Sequence, residues 1–285
     1  MNMRFMRVGN AGAEIPVVVD EGIAFDLRSI TQDIDPSFLE SGGLDTAQIA
    51  CRERLLPVID IEKMRIGAPL VGSRAIICIG QNYVAHAAES GSQPPVEPIV
   101  FHKHPGTIVG PNDDVHPIPG STALDWEVEL AVVLKKRARM LASENDALDC
   151  IAGITISNDV SDRHWQIDRS GGQWSKGKSW ETFNPLGPYL IPMSSDINLQ
   201  NLQLQSWVNG QVRQDSSTID MIFSVANIIQ HLSHVILLEA GDIINTGTPQ
   251  GVALSGRFPY LVPGDVVKLA ITGLGTQEQR IVESN

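Results

Sequence analysis

The sequence has 285 residues and a formal net charge of −12, and 42% of its residues are hydrophobic. This composition predicts a soluble globular protein built as one large domain or as a large and a small domain. The acidic balance argues against nucleic acid and anionic membranes as partners, because both require a basic surface. The three cysteines, Cys51, Cys78 and Cys150, are scattered among apolar residues, which predicts buried free thiols. The apolar runs are too short to span a bilayer, and the N-terminus is unlike a signal peptide, so we expect a cytoplasmic protein.

Short strands with glycine-containing turns between them are predicted near the start, at MRFMRVG, EIPVVVD and GIAFDLRSI. A helical region follows near PSFLESGGLDTAQIACRERL. The segment 64–74 has the glycine and proline content of a linker. We therefore expect a small N-terminal β-rich domain over residues 1–68 and a larger domain over residues 69–285.

The larger domain is predicted to be mainly β with few helices, in the α+β class. Helices are expected at SENDALDCIAG, which begins like a capping box, and at TIDMIFSVANIIQHLSHVI, which has helical apolar spacing. Short strands punctuated by glycine and proline favour a compact mixed β-roll or sandwich over repeating βα units. The predicted strands are AIICIG, PIVFHK, LDWEVELAVVL, IAGITISNDV, LQSWVNG, DIINTG and DVVKLAI.

The predicted strand LDWEVELAVVL, residues 124–134, carries carboxylates on one face. Successive strand side chains point to opposite faces, so Asp125, Glu127 and Glu129 share a face that continues into apolar residues. Such a pattern is usually a solvated face, but the apolar continuation and the lack of alternating basic residues favour a bound cation. With Asp159, at the end of strand IAGITI, Glu127 and Glu129 would form an oxygen ligand set suited to Mg²⁺.

A candidate acid–base pair lies in GQNYVAHAAESG, where His86 and Glu89 are three residues apart and share one helical face. Such pairs are more often surface features, but a carboxylate that orients an imidazole makes it a base for water. RSGGQWSKGKSWETFNPLGP lacks the spacing of a P-loop and is either a flexible or an anion-binding loop. INTGTPQGV is either a plain turn or a cradle for a carboxylate.

In this order, these motifs resemble the fumarylacetoacetate hydrolase family. The resemblance spans about residue 72 to the end and implies a β-roll core of the family's C-terminal type, with Mg²⁺ or Mn²⁺ as cofactor. It also implies a small 2-oxo acid as substrate and a homodimer or higher homo-oligomer. The matching stretches are IGQNYVAHAAE, PIVFHKHPGTIVGPNDDV, DWEVELAVVL, AGITISNDVSDR, GKSWETFNPLGP, WVNGQVRQ, GDIINTGTPQGV and GDVVKLAITGLG.

The same resemblance implies three groups of site residues. The metal ligands would be Glu127, Glu129 and Asp159. The catalytic residues would be His86, Glu89 and Lys178. The substrate-binding residues would be Arg163, Gln166 and Thr248. Asp125 receives no ligand role, and Gln81 stands where the family usually has an apolar residue, which concerns the substrate more than the metal.

The implied reaction is metal-dependent hydrolysis of the C3–C4 bond of a 2,4-dioxo acid to pyruvate and a second acid. The segments ESG and RSGGQWSKGKS resemble bacterial members that split 2,4-diketo-3-deoxy-L-sugar acids of the L-rhamnonate or L-fuconate type to pyruvate and lactate. Alternatives on the same fold are an oxaloacetate decarboxylase, an acylpyruvase, an isomerase or hydratase, and a ureidoglycolate lyase. An alternative of another class is a non-catalytic module with a structural cation.

Overall fold

The structure is a computed structural model that describes residues 3–89 and 91–284. The strands of this part of the chain are β1 (Arg4–Val8), β2 (Ile15–Asp20), β3 (Ile23–Asp26), β4 (Ile66–Gly67), β5 (Ile76–Gly80), β6 (Ile99–Lys103), β7 (Ile108–Val109), β8 (Leu124–Asp125), β9 (Val128–Leu134), β10 (Ile151–Asn158), β11 (Ser161–Asp162), β12 (Asn184–Pro185), β13 (Ile191–Pro192), β14 (Gln203–Val208), β15 (Gln211–Ser217), β16 (Ile243–Asn245), β17 (Val266–Ile271) and β18 (Gly275–Arg280).

The α-helices of the same residues are α1 (Pro36–Glu40), α2 (Gly43–Arg52), α3 (Val84–Glu89), α4 (Glu144–Leu148) and α5 (Val225–Val235). Short 3-10 helices lie at Pro105–Thr107, Trp174–Gly177, Thr218–Asp220 and Ala253–Ser255, and a π-helical turn lies at His164–Asp168. The prediction of a mainly β protein with few helices is confirmed. Not one of the helices described here is long and apolar enough to cross a membrane.

The described residues form three larger sheets, of four, six and four strands. The N-terminal sheet has the order β3-β2-β1-β4, the central sheet β13-β10-β9-β16-β5-β6, and the C-terminal sheet β15-β14-β17-β18. The central sheet is mixed, because β16 is parallel to β5 and antiparallel to β9. Two further sheets are the strand pairs β8-β11 and β7-β12.

Strand β9 forms the middle of the central sheet and separates two apolar clusters. Val128, Leu130 and Val132 belong to the cluster that includes α5 and the C-terminal sheet. Ala131 and Val133 belong to the cluster that includes the N-terminal strands, α1 and α2. The predicted alternation of side chains along this strand is confirmed, and the central sheet is buried on both faces.

The N-terminal sheet shares its core with the rest of the chain. Phe5 and Phe25 pack in one buried cluster with Ile76 and Cys78 of β5. β4 lies within the segment 64–74, which was predicted as a linker, and closes the N-terminal sheet. The domain boundary at residue 68 stays a prediction. All three cysteines are free and buried, as predicted.

The prediction of one strand over 124–134 is wrong, because the chain leaves the ladder at residues 126–127. The Glu127 N–H donates to a side chain, at Asn158 Oδ1, over 3.1 Å. The Glu127 carbonyl accepts a hydrogen bond from the Asp159 N–H at 3.0 Å. β8 then pairs with β11 instead of continuing along β10. This break places Glu127 beside Asp159.

The predicted helix at residues 218–236 begins later than expected, at Val225, with Ser224 as its N-cap. The cause lies in Asn82, which takes over the backbone groups of Phe223. Asn82 Oδ1 accepts from the Phe223 N–H at 2.8 Å, and Asn82 Nδ2 donates to the Phe223 carbonyl at 3.1 Å. These two bonds keep the backbone of Phe223 outside α5.

Leu130→Ala is expected to destabilise the protein by about 2–5 kcal/mol, because it opens a cavity where no solvent can enter. Leu130 of β9 is fully buried, in the apolar cluster that includes the C-terminal sheet. The measurement is the free energy of unfolding in urea. Leu55→Ala is the control, because Leu55 is 68% exposed. Equal losses for the two variants would contradict the layered core described above.

Candidate active site

A cavity of about 330 Å³ opens at the end of the central sheet. It gathers residues from α3, β9, the π-helical turn, the loop before β12 and the loop after β16. Eight of the nine predicted site residues line it: His86, Glu89, Glu127, Glu129, Arg163, Gln166, Lys178 and Thr248. The ninth, Asp159, is fully buried beside them.

Three carboxylates form a buried acidic cluster. Glu127, Glu129 and Asp159 each offer an oxygen atom, and these atoms all lie within 4.8 Å of one another. Glu127 is 5% exposed, Glu129 2% and Asp159 0%. Glu129 stands in register opposite Ser157 of β10, and Asp159 follows the end of that strand. Adjacent strands therefore bring the three carboxylates together.

Two buried lysines balance part of this negative charge. Lys178 Nζ donates to Glu127 Oε2 at 2.7 Å and to Asp159 Oδ2 at 2.9 Å. Lys103 Nζ pairs with the other oxygen of Asp159 and donates to the Phe183 carbonyl at 2.7 Å. Sequence reasoning missed Lys103. A lysine at the end of the apolar strand PIVFHK was the available signal, because a buried ammonium group requires a carboxylate partner.

Arg163 connects the acidic cluster to Asp125, the residue without a predicted role. Its guanidinium donates to Asp125 Oδ2 at 2.8 Å, to Glu127 Oε1 at 2.6 Å and to Gln166 Oε1 at 2.8 Å. Asp125 also accepts from the backbone N–H groups of Ala253 at 2.8 Å and Leu254 at 2.9 Å. Asp125 therefore fixes Arg163 and the 3-10 turn on one side of the cavity.

The carboxylates have different electrostatic environments. Burial would raise the pKa of Glu127, but the charges of Lys178 and Arg163 outweigh it and lower this pKa to about 2. Burial, together with the charges of Asp159 and Glu127, raises the pKa of Glu129 well above its usual value. Within residues 3–89 and 91–284, no lysine or arginine forms an ion pair with Glu129.

The donor set fits a divalent cation. Glu129 Oε2 accepts the Gly247 N–H at 2.8 Å, which compensates little of a full buried charge. A cation at the acidic cluster would supply the missing positive charge and would meet three oxygen donors, the ligand type that Mg²⁺ and Mn²⁺ prefer. Three protein ligands would leave coordination positions for substrate or water.

A histidine–glutamate pair lies at the same cavity. His86 Nδ1 is 3.1 Å from Glu89 Oε1 within α3, as the spacing predicted. The Glu89 carboxylate also accepts the Gly251 N–H, at 3.0 Å and 3.2 Å. Gly251 has a φ of +105°, and a Cβ atom there would lie 2.2 Å from the Arg213 carbonyl, so only glycine fits. Glu89 thus orients the imidazole and fixes α3 to the loop after β16.

The family model described as fumarylacetoacetate (FAA) hydrolase C-terminal matches residues 75–282. The chain belongs to this family. This membership was predicted from the motifs and is confirmed, whereas the sugar-acid branch stays a prediction.

Relatives of this fumarylacetoacetate hydrolase family protein cover nearly its whole length. A Burkholderia multivorans protein, provisionally named a hydrolase, is 42% identical over 281 residues, which are 97% of this chain and 98% of the relative. The structure of fumarylacetoacetate hydrolase from Exiguobacterium antarcticum has a TM-score of 0.85 at 30% identity, and 99% of each chain is covered.

Two further solved structures carry more specific names. The 2-hydroxyhepta-2,4-diene-1,7-dioate isomerase of Mycobacterium marinum has a TM-score of 0.78 at 28% identity and covers 99% of this chain and 98% of its own. The maleylpyruvate hydrolase of Sphingobium sp. SYK-6, in complex with manganese(II) and pyruvate, has a TM-score of 0.80 at 25% identity and covers 99% of this chain and 100% of its own.

In this family member, the hydroxyl group of Thr248 is already engaged. Its Oγ1 donates to the Val128 carbonyl at 3.0 Å and accepts from Gln214 Nε2 at 2.7 Å. Gln214, which is fully buried and was missed from the sequence, also donates to the Pro249 carbonyl at 2.8 Å. Thr248 lines the cavity, but its proton reaches a substrate carboxylate only if the bond to Val128 opens.

Asp125→Ala is expected to lower the free energy of unfolding by about 3 kcal/mol or more, because Arg163 stays charged and buried after losing a carboxylate partner. Chemical denaturation measures the loss. Asp168→Ala is the matched control, because the Asp168 carboxylate is 67% exposed beside His164 and should contribute less than about 1 kcal/mol. A loss at Asp125 no larger than the control would show that it does not anchor Arg163.

Proposed function

We propose that this protein is a metal-dependent hydrolase that cleaves the C3–C4 bond of a 2,4-dioxo acid to pyruvate and a second carboxylic acid. One observation carries the proposal: the His86–Glu89 pair and the acidic cluster of Glu127, Glu129 and Asp159 belong to one site. A base for water and a site for a cation are the two groups that this hydrolysis needs.

The proposed ligands of Mg²⁺ or Mn²⁺ are Glu127, Glu129 and Asp159. A bound divalent cation supplies Lewis-acid polarisation of the 2-oxo acid group of the substrate. The manganese and pyruvate of the Sphingobium structure support this assignment by similarity. Lys103 and Lys178 hold the Asp159 carboxylate from its two oxygens and so fix its orientation.

His86 is the proposed base. The Glu89 carboxylate accepts a hydrogen bond from the Nδ1–H group of His86, so the neutral imidazole can take a proton from water at Nε2. The water then attacks the C4 carbonyl, and rupture of the C3–C4 bond leaves its electron pair on the pyruvate fragment as an enolate. The Lys178 ammonium group lies at the cavity wall and stabilises this developing negative charge. Protonation at C3 gives pyruvate.

For the substrate, we propose a 2,4-diketo-3-deoxy-L-sugar acid of the L-rhamnonate or L-fuconate type. Arg163, Gln166 and Thr248 are its proposed binding residues. Because the Gln166 carbonyl oxygen accepts from Arg163, the amide nitrogen is the end of this side chain left to the substrate. Isomerisation is the reaction named for the Mycobacterium marinum relative. The oriented His86 favours hydrolysis here, because it provides the base for water.

Glu129→Gln is expected to abolish stabilisation by Mn²⁺, because it removes one of three oxygen ligands and its charge. The pKa of Glu129 is raised by folding, so its ionised form destabilises the metal-free protein as the pH rises towards neutrality. The metal-free variant should therefore resist urea better than the metal-free wild type at neutral pH. For the wild type, Mn²⁺ at 100 times its Kd should add about 2.7 kcal/mol.

The measurement is the free energy of unfolding in urea with Mn²⁺ and with EDTA. Glu278→Gln, an exposed position of β18, is the control and should keep the full stabilisation by Mn²⁺. If Mn²⁺ stabilises Glu129→Gln as much as the wild type, Glu129 is not a ligand.

His86→Ala is expected to lower kcat for pyruvate release by roughly 10²–10⁴-fold, because the base for water is lost. The assay follows pyruvate with Mg²⁺ and with EDTA for a 2,4-diketo-3-deoxy-L-sugar acid, an acylpyruvate and oxaloacetate. His234→Ala, at an exposed position of α5, is the control and should keep full activity. EDTA should abolish turnover.

The assay separates the candidate reactions. Preference for the sugar acid supports the proposal, whereas preference for oxaloacetate would identify a decarboxylase on the same site. Unchanged turnover in His86→Ala would refute the role of the His86–Glu89 pair. No pyruvate from any substrate would refute the proposed hydrolase.

A further inference from the structure

A second polar pair lines the cavity, apart from the hydrogen bonds of the acidic cluster. Gln81 Nε2 donates to Ser92 Oγ at 3.0 Å, and both side chains face the cavity. Gln81 follows β5 directly, and Ser92 lies just beyond α3. The pair therefore joins the two ends of the segment that carries His86 and Glu89.

The backbone holds Gln81 in an unusual conformation. Its φ of +53° lies in the left-handed region, which is uncommon for a residue other than glycine and which persists only where the surroundings enforce it. The next residue, Asn82, is fully buried and donates to the carbonyls of Phe223 and Thr246. This anchor fixes the backbone next to Gln81.

We infer that Gln81 and Ser92 form a subsite that binds a hydroxyl group on the substrate carbons beyond C4. The inference rests on the proposed function, because that function defines which end of the substrate meets the acidic cluster. With one Gln81 Nε2 proton used on Ser92, the pair retains an acceptor, Gln81 Oε1, and two donors, the second Nε2 proton and the Ser92 hydroxyl proton. If the amide is reversed, the pair still retains a donor and an acceptor. A hydroxyl group both donates and accepts, so it matches the pair.

The charges at the cavity argue against a second carboxylate in this subsite. The lysine and arginine side chains that line the cavity in the described residues are Lys178 and Arg163. Both pair with buried carboxylates at the acidic cluster, where the 2-oxo acid end of the substrate is proposed to bind: Lys178 with Glu127 and Asp159, and Arg163 with Asp125 and Glu127. A dicarboxylic substrate would add a charge without a partner near Glu89 and Glu129. The subsite therefore selects a neutral hydroxylated chain.

Three oxamates that cannot be cleaved at the corresponding bond test the subsite without turnover. N-(2-hydroxypropyl)oxamate carries the hydroxyl group at the position of C5, N-propyloxamate lacks it, and N-(2-carboxyethyl)oxamate ends in a carboxylate. Titration calorimetry with Mg²⁺ gives the Kd of each. We expect the hydroxylated probe to bind about 10-fold more tightly than the propyl probe, because its hydroxyl group would both donate and accept a hydrogen bond in the subsite.

Two variants assign the preference to the pair. Gln81→Leu and Ser92→Ala should each lower the affinity ratio of the hydroxylated to the propyl probe to about 2 or less. Ser92→Ala leaves Gln81 and its left-handed backbone unchanged, so it tests the pair even if Gln81→Leu does not fold. Gln211→Leu makes the same change at an exposed position of β15 and should keep the ratio of the wild type.

The outcomes separate this inference from the proposed hydrolase. Equal binding of the hydroxylated and propyl probes, tighter binding of the carboxylated probe, or no binding of any probe would overturn the subsite. A ratio that survives both variants would also overturn it. Hydroxyl-dependent binding without pyruvate release in the activity assay would refute the hydrolase and leave the subsite standing.

Discussion

The burial of the acidic cluster is the constraint on which the rest of the structure depends. Carboxylates this close together and this far from water cannot all remain ionised without nearby positive charge. The chain supplies that charge from Lys103, Arg163 and Lys178, which lie far apart in the sequence and meet only in the folded protein. The fold therefore assembles the site, and its ion pairs in turn hold β6, the residue before β9, the residue after β10 and the loop before β12 together.

The segment from Gln81 to Ser92 is attached to the same framework at several points. Asn82 binds the backbone at Phe223 and Thr246, and Glu89 binds the Gly251 N–H. Glu89 thus has two tasks, because the carboxylate that orients His86 also fixes α3 to the loop after β16. The position of α3 at the cavity and the alignment of the imidazole are consequently coupled through one side chain.

The sequence predicted the parts of the site that depend on local periodicity or on a recognisable motif. Strand alternation placed Glu127 and Glu129 on one face, and helical spacing paired His86 with Glu89. The strand break at residues 126–127 was missed, because it depends on the side chain of Asn158 and not on the strand's own pattern. The contact of Lys103 with Asp159 and the contact of Arg163 with Asp125 were missed for the same reason, because each joins segments that are distant in sequence.

Catalysis and substrate choice are under different physical constraints at this cavity. Replacing Lys103, Arg163 or Lys178 by a neutral residue would leave a buried carboxylate without its partner, so these positions bear on folding as well as on chemistry. Gln81 and Ser92 are neutral and bind each other, so changing them alters the donors and acceptors of the cavity without altering its charge balance. The acidic cluster and the His86–Glu89 pair can therefore serve one reaction while neighbouring neutral residues set the substrate. That separation explains why a hydroxyl subsite can arise beside a charge network that tolerates little change.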